Sequence, residues 1–209
     1  MTARIYKKFE FLAAVHFENE FYTNLYEVDV YFNVEADSIK EQNVALERIK
    51  FFLNECLQHS VIVDQNDTDA IEKFTEAGMR VCTLPEEPYD QIIGIMLYVK
   101  LNKIVEGRLV ITDINVTSSM SDGVSCCYSE DENIGPFTSK GWWSSVSPKI
   151  NDITTSNKNK KILKIAKNKI TWDDLFLGWQ TKDLVIVEKQ TDSQSTSEVV
   201  YAKFPTIEK

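Results

Sequence analysis

The sequence predicts an α+β protein: an antiparallel four-stranded sheet with helices on one face, extended by a C-terminal elaboration. Apolar residues alternate with polar ones along two segments near the start of the chain and along two more before residue 130, a period typical of half-buried strands. Between these pairs, apolar residues recur at the spacing of an α-helix. The 209 residues are enough for one such domain and an elaboration.

The first two predicted strands occupy residues 4–18 and 25–36. In the first, Phe11 and its alternate neighbours are apolar, and in the second the same is true of Val28 and its alternate neighbours. Residues 19–24, NEFYTN, are interpreted as a short polar and aromatic connection. The two strands are therefore expected to pair antiparallel.

The first two predicted helices follow these strands. Ser38 followed by Glu41 has the pattern of a capping box, and apolar residues at helical spacing come after it. We therefore expect a helix from Ser38 to Leu57. A short helix is expected over residues 69–77, because Gly78 is a favoured residue just past a helix end.

A second long helix is predicted over residues 89–104, which are apolar around most of the helix circumference. The segments on either side of the short helix, residues 59–67 and 79–88, are interpreted as an apolar stretch and an extended connection. The last two predicted strands, residues 108–119 and 122–130, meet at a turn that contains an Asp-Gly pair. The predicted order is strand, strand, helix, short helix, helix, strand, strand.

The chain is expected to divide into a front domain, residues 1–130, and an elaboration, residues 131–209. The elaboration opens with a Trp-rich loop at 135–148 and continues with a short helix at 171–179 and a closing hairpin at 183–204. Its aromatic residues favour packing on the front domain over a disordered tail.

Only two histidines occur, His16 and His59. Imidazole is the usual base or ligand near neutral pH, so this scarcity argues against most hydrolytic and zinc-dependent mechanisms. The four cysteines show no CxxC spacing and predict neither a zinc site nor a disulfide framework. These residues imply no metal and no cofactor.

The net charge of −9 is concentrated in the front domain, where 22 acidic residues face 11 basic ones. Such a surface repels phosphate backbones, so a nucleic-acid partner is not expected. The lysine-rich residues 157–170 are interpreted as a solvated face, since no aromatic residue interleaves the lysines. No apolar run approaches the roughly 20 residues of a membrane span, and we expect a cytoplasmic protein.

Four short motifs and their order carry a resemblance to a known family. They are FLAAVHF at residues 11–17, Leu57-Gln58-His59, the run from Pro88 to Ile92, and the run from Ile111 to Ile114. They approximate, in turn, the Phe-x-Ala-Ala-His, Leu-Asp-His, Pro-Thr-x-Glu-Asn and Val-x-Glu-Thr motifs of the 6-pyruvoyl- and 6-carboxy-tetrahydropterin synthases. Residues 5–130 thus resemble this branch of the tunnelling-fold (T-fold) superfamily.

The chemistry of that family is not matched. Aligning Tyr26 with the tyrosine that follows the family's His-x-His motif places Tyr22 and Asn24 at two zinc-ligand positions, and neither is a normal zinc ligand. His16 alone cannot form a tetrahedral site, and the extra residue Val15 is expected to turn His16 to the wrong face of the strand. The family's nucleophilic cysteine between the first two strands is also missing.

The resemblance implies a small heterocyclic ligand. The family's third-strand Glu binds the amidine edge of a pterin or purine, and Asp113 is its shorter counterpart here. Gln91 and His16 are further candidates for ligand binding, and His59 is the candidate catalytic acid or base. The alternatives are a strand Asp113 that faces solvent, a first-turn Gln91 without a role and a helix-capping His59.

Three functions are therefore open. The first is a non-catalytic or repurposed T-fold protein that acts as a binding or assembly module for a purine- or pterin-like heterocycle. The second is a metal-free enzyme, and the third is an acidic interaction protein that shares only the element order. Because the family joins its subunits edge to edge into a barrel, the resemblance also implies a homo-oligomer.

Overall fold

The computed structural model describes residues 4–34, 38–129 and 133–150, together with Trp172. Six strands lie in this part of the chain: β1 (Arg4–Phe17), β2 (Glu20–Val34), β3 (Ser60–Asp64), β4 (Arg80–Leu84), β5 (Leu109–Ser118) and β6 (Ser125–Ser129). The α-helices are α1 (Ile39–Phe51), α2 (Thr68–Glu76) and α3 (Asp90–Ile104). A π-helical segment, Phe52–Leu57, continues α1, and two 3₁₀ turns, Gly135–Thr138 and Trp142–Ser144, follow β6.

The strands form one mixed sheet in the order β4-β3-β1-β2-β5-β6. The four predicted strands are adjacent and antiparallel, but β3 pairs parallel with β1, and β4 pairs parallel with β3. The prediction of a four-stranded antiparallel sheet is therefore wrong. Strands β3 and β4 are five residues long and largely buried. Their sequences lack the alternation that identifies a half-buried strand.

The helices lie on both faces of the sheet, which corrects the prediction that they share one face. On β3, Val61 and Val63 pack with Ala70 and Phe74 of α2. The residue between them, Ile62, belongs to the main core with α1 and α3. Because successive strand residues point to opposite faces, α2 must cover the face opposite α1 and α3.

The β1–β2 hairpin closes through a two-residue turn at Glu18 and Asn19. Both residues have positive φ, 52° and 63°, as the type I′ turns of tight hairpins require. Phe17 therefore pairs directly with Glu20. Strand β2 begins five residues before the predicted start, so residues 20–24 of the segment interpreted as a connection belong to it, and Asn19 belongs to the turn.

Helix α1 begins after Ser38, whose hydroxyl accepts a hydrogen bond from the Glu41 backbone N–H at 3.3 Å. The predicted capping box is only half formed. The Glu41 carboxylate is bound by Arg108 at 2.6 Å. At the other end, Arg80 donates to the Cys56 carbonyl oxygen at 3.1 Å and so caps the π-helical segment.

Strand β5 carries a β-bulge at Thr112. Asp113 pairs with Tyr31, and Ile111 pairs with Phe32, so Thr112 has no counterpart on β2. Ile111 and Ile114 are both fully buried, although they are three residues apart. Asp113 therefore lies on the face of the sheet opposite α1 and α3.

Residues 133–150 pack into the main core. Phe137 and Trp143 are buried in it. Their rings make a T-shaped contact, with 5.3 Å between centroids. The predicted helix at 171–179, the predicted hairpin at 183–204 and the lysine-rich stretch lie outside the described residues, apart from Trp172. In the described part of the chain, no helix has the length and apolar character needed to cross a membrane.

Lys100 of α3 holds this segment through a buried ammonium group. The side chain is 0% exposed, and Nζ donates to the carbonyl oxygens of Trp142, Ser145 and Ser147 at 2.9, 2.8 and 2.7 Å. The ring centroids of Phe52 and Trp142 lie 5.6 and 5.5 Å from Nζ. The three N–H donors of the ammonium are thus all used, and the aromatic faces add a cation–π attraction.

We predict that Lys100→Met lowers the free energy of unfolding by about 3 kcal/mol, because three buried carbonyl groups lose their donor. The exposed Lys103 on the same helix is the matched control, and Lys103→Met should change stability by less than about 0.5 kcal/mol. Urea denaturation of the three proteins measures both values. Equal stability of the two variants would show that the buried ammonium is dispensable.

Candidate functional site

A cavity of about 330 Å³ opens where β1, β2, β5 and β6 meet the first turn of α3. Its walls are mostly apolar and include Val15, Phe17, Tyr89 and Met120. Its polar lining includes Asn24, Tyr26, Asp90, Gln91 and Ser118. Small-molecule sites in proteins have this size and this mixture of apolar walls and few polar groups.

The strand pattern explains why polar groups face the cavity. On β2, Asn24 continues the inward series of Tyr26 and Val28, and on β5 Ser118 continues that of Val116. These inward positions belong to the core face until the strands approach their ends. There the inward residues become polar, so the apolar core gives way to a polar cavity.

Asp90 is the first residue of α3. Its Oδ2 accepts a hydrogen bond from the Ser118 hydroxyl at 2.7 Å. Within the described residues, Oδ1 accepts no hydrogen bond. The helix dipole favours a negative charge at this position. The carboxylate is thus held through one oxygen, and the other is without a hydrogen bond in a residue that lines the cavity.

Tyr26 lines the cavity and carries a buried hydroxyl. The side chain is 0% exposed, its ring stacks on Phe11 with 4.9 Å between centroids, and its hydroxyl has no hydrogen-bond partner in the described residues. Burial raises the pKa of Tyr26, and the negative charge of Asp90 raises it further. The nearby Asn24 amide lowers this pKa by a smaller amount, without meeting hydrogen-bond geometry. The hydroxyl therefore stays protonated and can donate.

Asn24 is the third polar group that faces the cavity. It is 3% exposed, and its carboxamide oxygen accepts a hydrogen bond from the Ser119 hydroxyl at 2.6 Å. This contact fixes the orientation of the amide. Within the described residues, its nitrogen donates no hydrogen bond, so the N–H groups are available to a ligand.

Aromatic and apolar side chains surround the opening. The ring centroid of Phe17 lies 5.5 Å from that of Tyr89 and 5.3 Å from that of Tyr22. Tyr89, Met120 and Val124 also line the cavity and are 43%, 49% and 65% exposed. A planar ligand could therefore contact aromatic faces at the entrance.

The thiol of Cys126 also lines the cavity. Burial raises the pKa of Cys126, and the charges of Asp90 and Cys127 raise it further. Because the thiolate is the nucleophilic form of cysteine, this environment disfavours a catalytic role for Cys126.

Of the four predicted site residues, Gln91 lines this cavity. His16 lies on the opposite face of β1, beside α2. Its Nδ1 is 3.2 Å from a carboxylate oxygen of Asp67, without hydrogen-bond geometry, and its ring meets the Phe74 ring at 5.3 Å between centroids. The extra residue Val15 takes the inward position instead.

The other two predicted residues lie outside the cavity. His59 is exposed, with φ of +59°, and its backbone N–H donates to the Leu12 carbonyl oxygen at 2.7 Å. Asp113 is half-buried, opposite Tyr31 and five residues before Ser118 on β5. The structure does not bring His59, Asp113 and Gln91 together in one chain, and their proposed roles stay predictions.

Sequence patterns alone do not single out the residues that line the cavity together. Asp90 was one position of a weak motif, and Tyr26 and Ser118 fitted the apolar alternation of their strands. The one available signal was polar residues, Asn24 and Ser118, at inward positions of strands that are otherwise apolar on that face.

The cavity does not fit the zinc ion of the family that the sequence resembles. Val15 offers no donor atom at its inward position, and the Asn24 oxygen is already engaged by Ser119. Among the residues that the structure describes, no group of three His, Cys, Asp or Glu side chains could hold a metal ion.

Comparison with known proteins finds likeness in structure only. No protein-family model matches the chain, and no curated protein is significantly similar in sequence. Among solved structures, an uncharacterized protein from Wolinella succinogenes is 11% identical with a TM-score of 0.49, over 63% of this chain and 99% of that chain. The 6-pyruvoyltetrahydropterin synthase of Plasmodium vivax is 12% identical with a TM-score of 0.43, over 61% and 97%. That of Plasmodium falciparum is 12% identical with a TM-score of 0.40, over 61% and 96%.

These solved structures include synthases of the family that the sequence resembles. With identities of 11–12% and TM-scores below 0.5, the likeness concerns the fold alone. The functional argument below rests on the residues of this chain.

We predict that the purified protein carries no stoichiometric zinc, because the cavity offers too few ligands for a tetrahedral site. Elemental analysis after chelator treatment measures this directly. One zinc per chain, retained through that treatment, would contradict the prediction and would require ligands other than Val15 and Asn24.

Proposed function

We propose that this chain is a binding module without a catalytic metal, and that its cavity takes a small planar heterocycle of the purine or pterin class. The cavity volume of about 330 Å³ is suited to one such ring system. The aromatic residues Phe17 and Tyr89 provide faces for stacking, and the polar groups lie deeper, beside Tyr26.

The observation that carries this proposal is the unpartnered Tyr26 hydroxyl beside the half-bound Asp90 carboxylate. A buried hydroxyl without a hydrogen bond costs about 1–3 kcal/mol. A ligand that accepts from Tyr26 and donates to Asp90 Oδ1 would recover that free energy. Heterocycles that carry an N–H group next to a carbonyl or ring nitrogen have this pair of functions on one edge.

The chemistry of the cavity favours binding over catalysis. The raised pKa of Cys126 disfavours a thiolate, and Ser118 donates to a carboxylate with no imidazole among the described residues of the cavity. An enzyme that uses His59 and Asp113 would need both residues to reach the ligand from another copy of the chain. We therefore favour the binding module over the other two candidate functions, the metal-free enzyme and the acidic interaction protein.

The assembly part of the proposal rests on the strand edges. Within the described residues, β3 pairs with β1 only at residues 14–16, so the earlier part of β1 has β2 on one side and no strand on the other. Leu12 is the exception, since its backbone is bonded by Gln58 and His59. Open edges of this kind are normally covered or paired, and a second copy of the chain could provide the pairing.

We predict that guanine, pterin or hypoxanthine raises the melting temperature, since a ligand that binds only the folded state adds about 2.7 kcal/mol at a hundredfold excess over its Kd. Asp90→Asn should abolish the shift, because it removes the anionic acceptor from the cavity. Asp113→Asn is the matched control: the same substitution on the opposite face of the sheet should leave the shift intact. Differential scanning fluorimetry measures all three proteins.

Two outcomes of that experiment would count against the site. A shift that survives Asp90→Asn but is lost in Asp113→Asn would move the ligand to the residue predicted from the sequence. No shift with any heterocycle would reject the heterocycle-binding function.

We also predict that light scattering at micromolar protein concentration reports a mass that is a multiple of 24.0 kDa. The reason is that pairing of the β1 edge would satisfy backbone groups that are otherwise left to water. A mass of one chain at every concentration tested would contradict the assembly proposal without affecting the proposal for the cavity.

A further inference from the structure

We infer that the cavity selects a ligand that carries a positive charge, an ammonium or amidinium group, and rejects phosphate- and carboxylate-bearing ligands. This inference rests on the proposed function, because it concerns the same cavity: a cationic ligand should bind there more tightly than a neutral purine or pterin of similar size. It follows from the charge, the hydrogen-bond pattern and the aromatic lining of the site.

The charge of the cavity is one-sided. Asp90 is its one acidic residue, and none of the described lining residues is Lys, Arg or His. A second cavity, of about 360 Å³, adjoins it through the shared residue Tyr89 and is lined by Asp64, Glu86 and Glu87. An anionic ligand would lose its water and meet no cationic side chain there, only the partial positive charge at the start of α3 that Asp90 already offsets, whereas a cation would gain the full charge of Asp90.

The hydrogen-bond pattern also favours a positively charged ligand. Asp90 Oδ1 is an open acceptor and pairs best with a charged N–H donor, because charge-assisted hydrogen bonds are roughly twice as strong as neutral ones. Ser118 holds the other oxygen, Oδ2, at 2.7 Å and so restrains the carboxylate. The neutral donors, Tyr26 and Asn24, can then bind an acceptor atom next to the cationic group.

The aromatic lining supplies a second attraction for a cation. Phe17 and Tyr89 are adjacent, with 5.5 Å between ring centroids, and both line the cavity. The negative faces of aromatic rings attract ammonium and amidinium groups within about 6 Å of the ring centroid. The cavity therefore combines one carboxylate with two aromatic side chains, a combination that suits an organic cation.

Three probes of nearly equal shape and different charge test the inference: benzamidine, benzamide and benzoate, which are cationic, neutral and anionic. Titration calorimetry at low salt should show benzamidine binding at least about tenfold more tightly than benzamide, with no detectable binding of benzoate. The benzamidine affinity should fall as salt is raised, while that of benzamide should not.

Two variants identify the group responsible. Asp90→Asn should reduce benzamidine to the affinity of benzamide. Glu86→Gln removes one negative charge beside the cavity but outside it. This variant should keep most of the preference for benzamidine over benzamide. The melting temperature of each ligand-free variant establishes that it is folded. If Asp90→Asn does not fold, the bound probe can be located by a second measurement. In a Cys127→Ser background, bound benzamidine should slow the alkylation of Cys126 by a thiol reagent.

The outcomes separate this inference from the proposed function. Equal affinities for benzamidine and benzamide, binding of benzoate, equal effects of the two variants, or no binding of any probe at millimolar concentration would each overturn the cation inference. Pterin or guanine binding under those results would leave the proposed function standing. A benzamidine preference that depends on Asp90, without binding of any heterocycle, would uphold the cation inference and reject the heterocycle.

Discussion

The buried ammonium group of Lys100 is the contact on which the arrangement of α3 and the following segment depends. An ammonium taken out of water is costly unless every donor is satisfied, and here three backbone carbonyl groups from residues 142–147 satisfy it. Of these partners, Trp142 lies in a short 3₁₀ turn, and Ser145 and Ser147 lie outside any helix or strand. The lysine therefore specifies one conformation of the segment, and the segment in turn makes the burial of the lysine tolerable.

The same helix has an opposite charge at its other end, and the two charges have different roles. Asp90 lies ten residues before Lys100, about 15 Å along the helix axis. Lys100 is saturated by protein groups, whereas Asp90 is held by one oxygen and Tyr26 beside it has no partner among the described residues. Polar groups that are left unsatisfied in an otherwise well-satisfied interior are typical of binding sites, where the protein gives up stability that a ligand restores. Helix α3 is thus fixed to the protein through Lys100 near its C-terminal end, whereas Asp90 at its N-terminal end can still bind a ligand.

The parts of the fold that follow simple periodicity could be predicted from the sequence, and the parts set by tertiary contacts could not. The four antiparallel strands and the helices were found because their apolar residues alternate or recur at helical spacing. Strands β3 and β4 were missed because both their faces are buried, and the true start of β2 was missed because Glu18 and Asn19 form a turn without glycine. At the site, Gln91 was placed by its motif. Asp90 could not be singled out because its role depends on Ser118, 28 residues later in the chain.

The bulge at Thr112 has a consequence for how this surface can change. Before it, odd-numbered residues of β5 face the core, and after it, even-numbered ones do, as Ile111 and Ile114 show. The two halves of one strand are therefore out of phase, and a single inserted residue maintains the difference. If the same residues ran in regular alternation without the bulge, every residue after Thr112 would turn to the other surface, with Asp113 facing the core and Ile114 facing away from it. The local backbone geometry at Thr112, and not the identity of any side chain, therefore keeps the Asp113 carboxylate out of the interior and Ile114 within it.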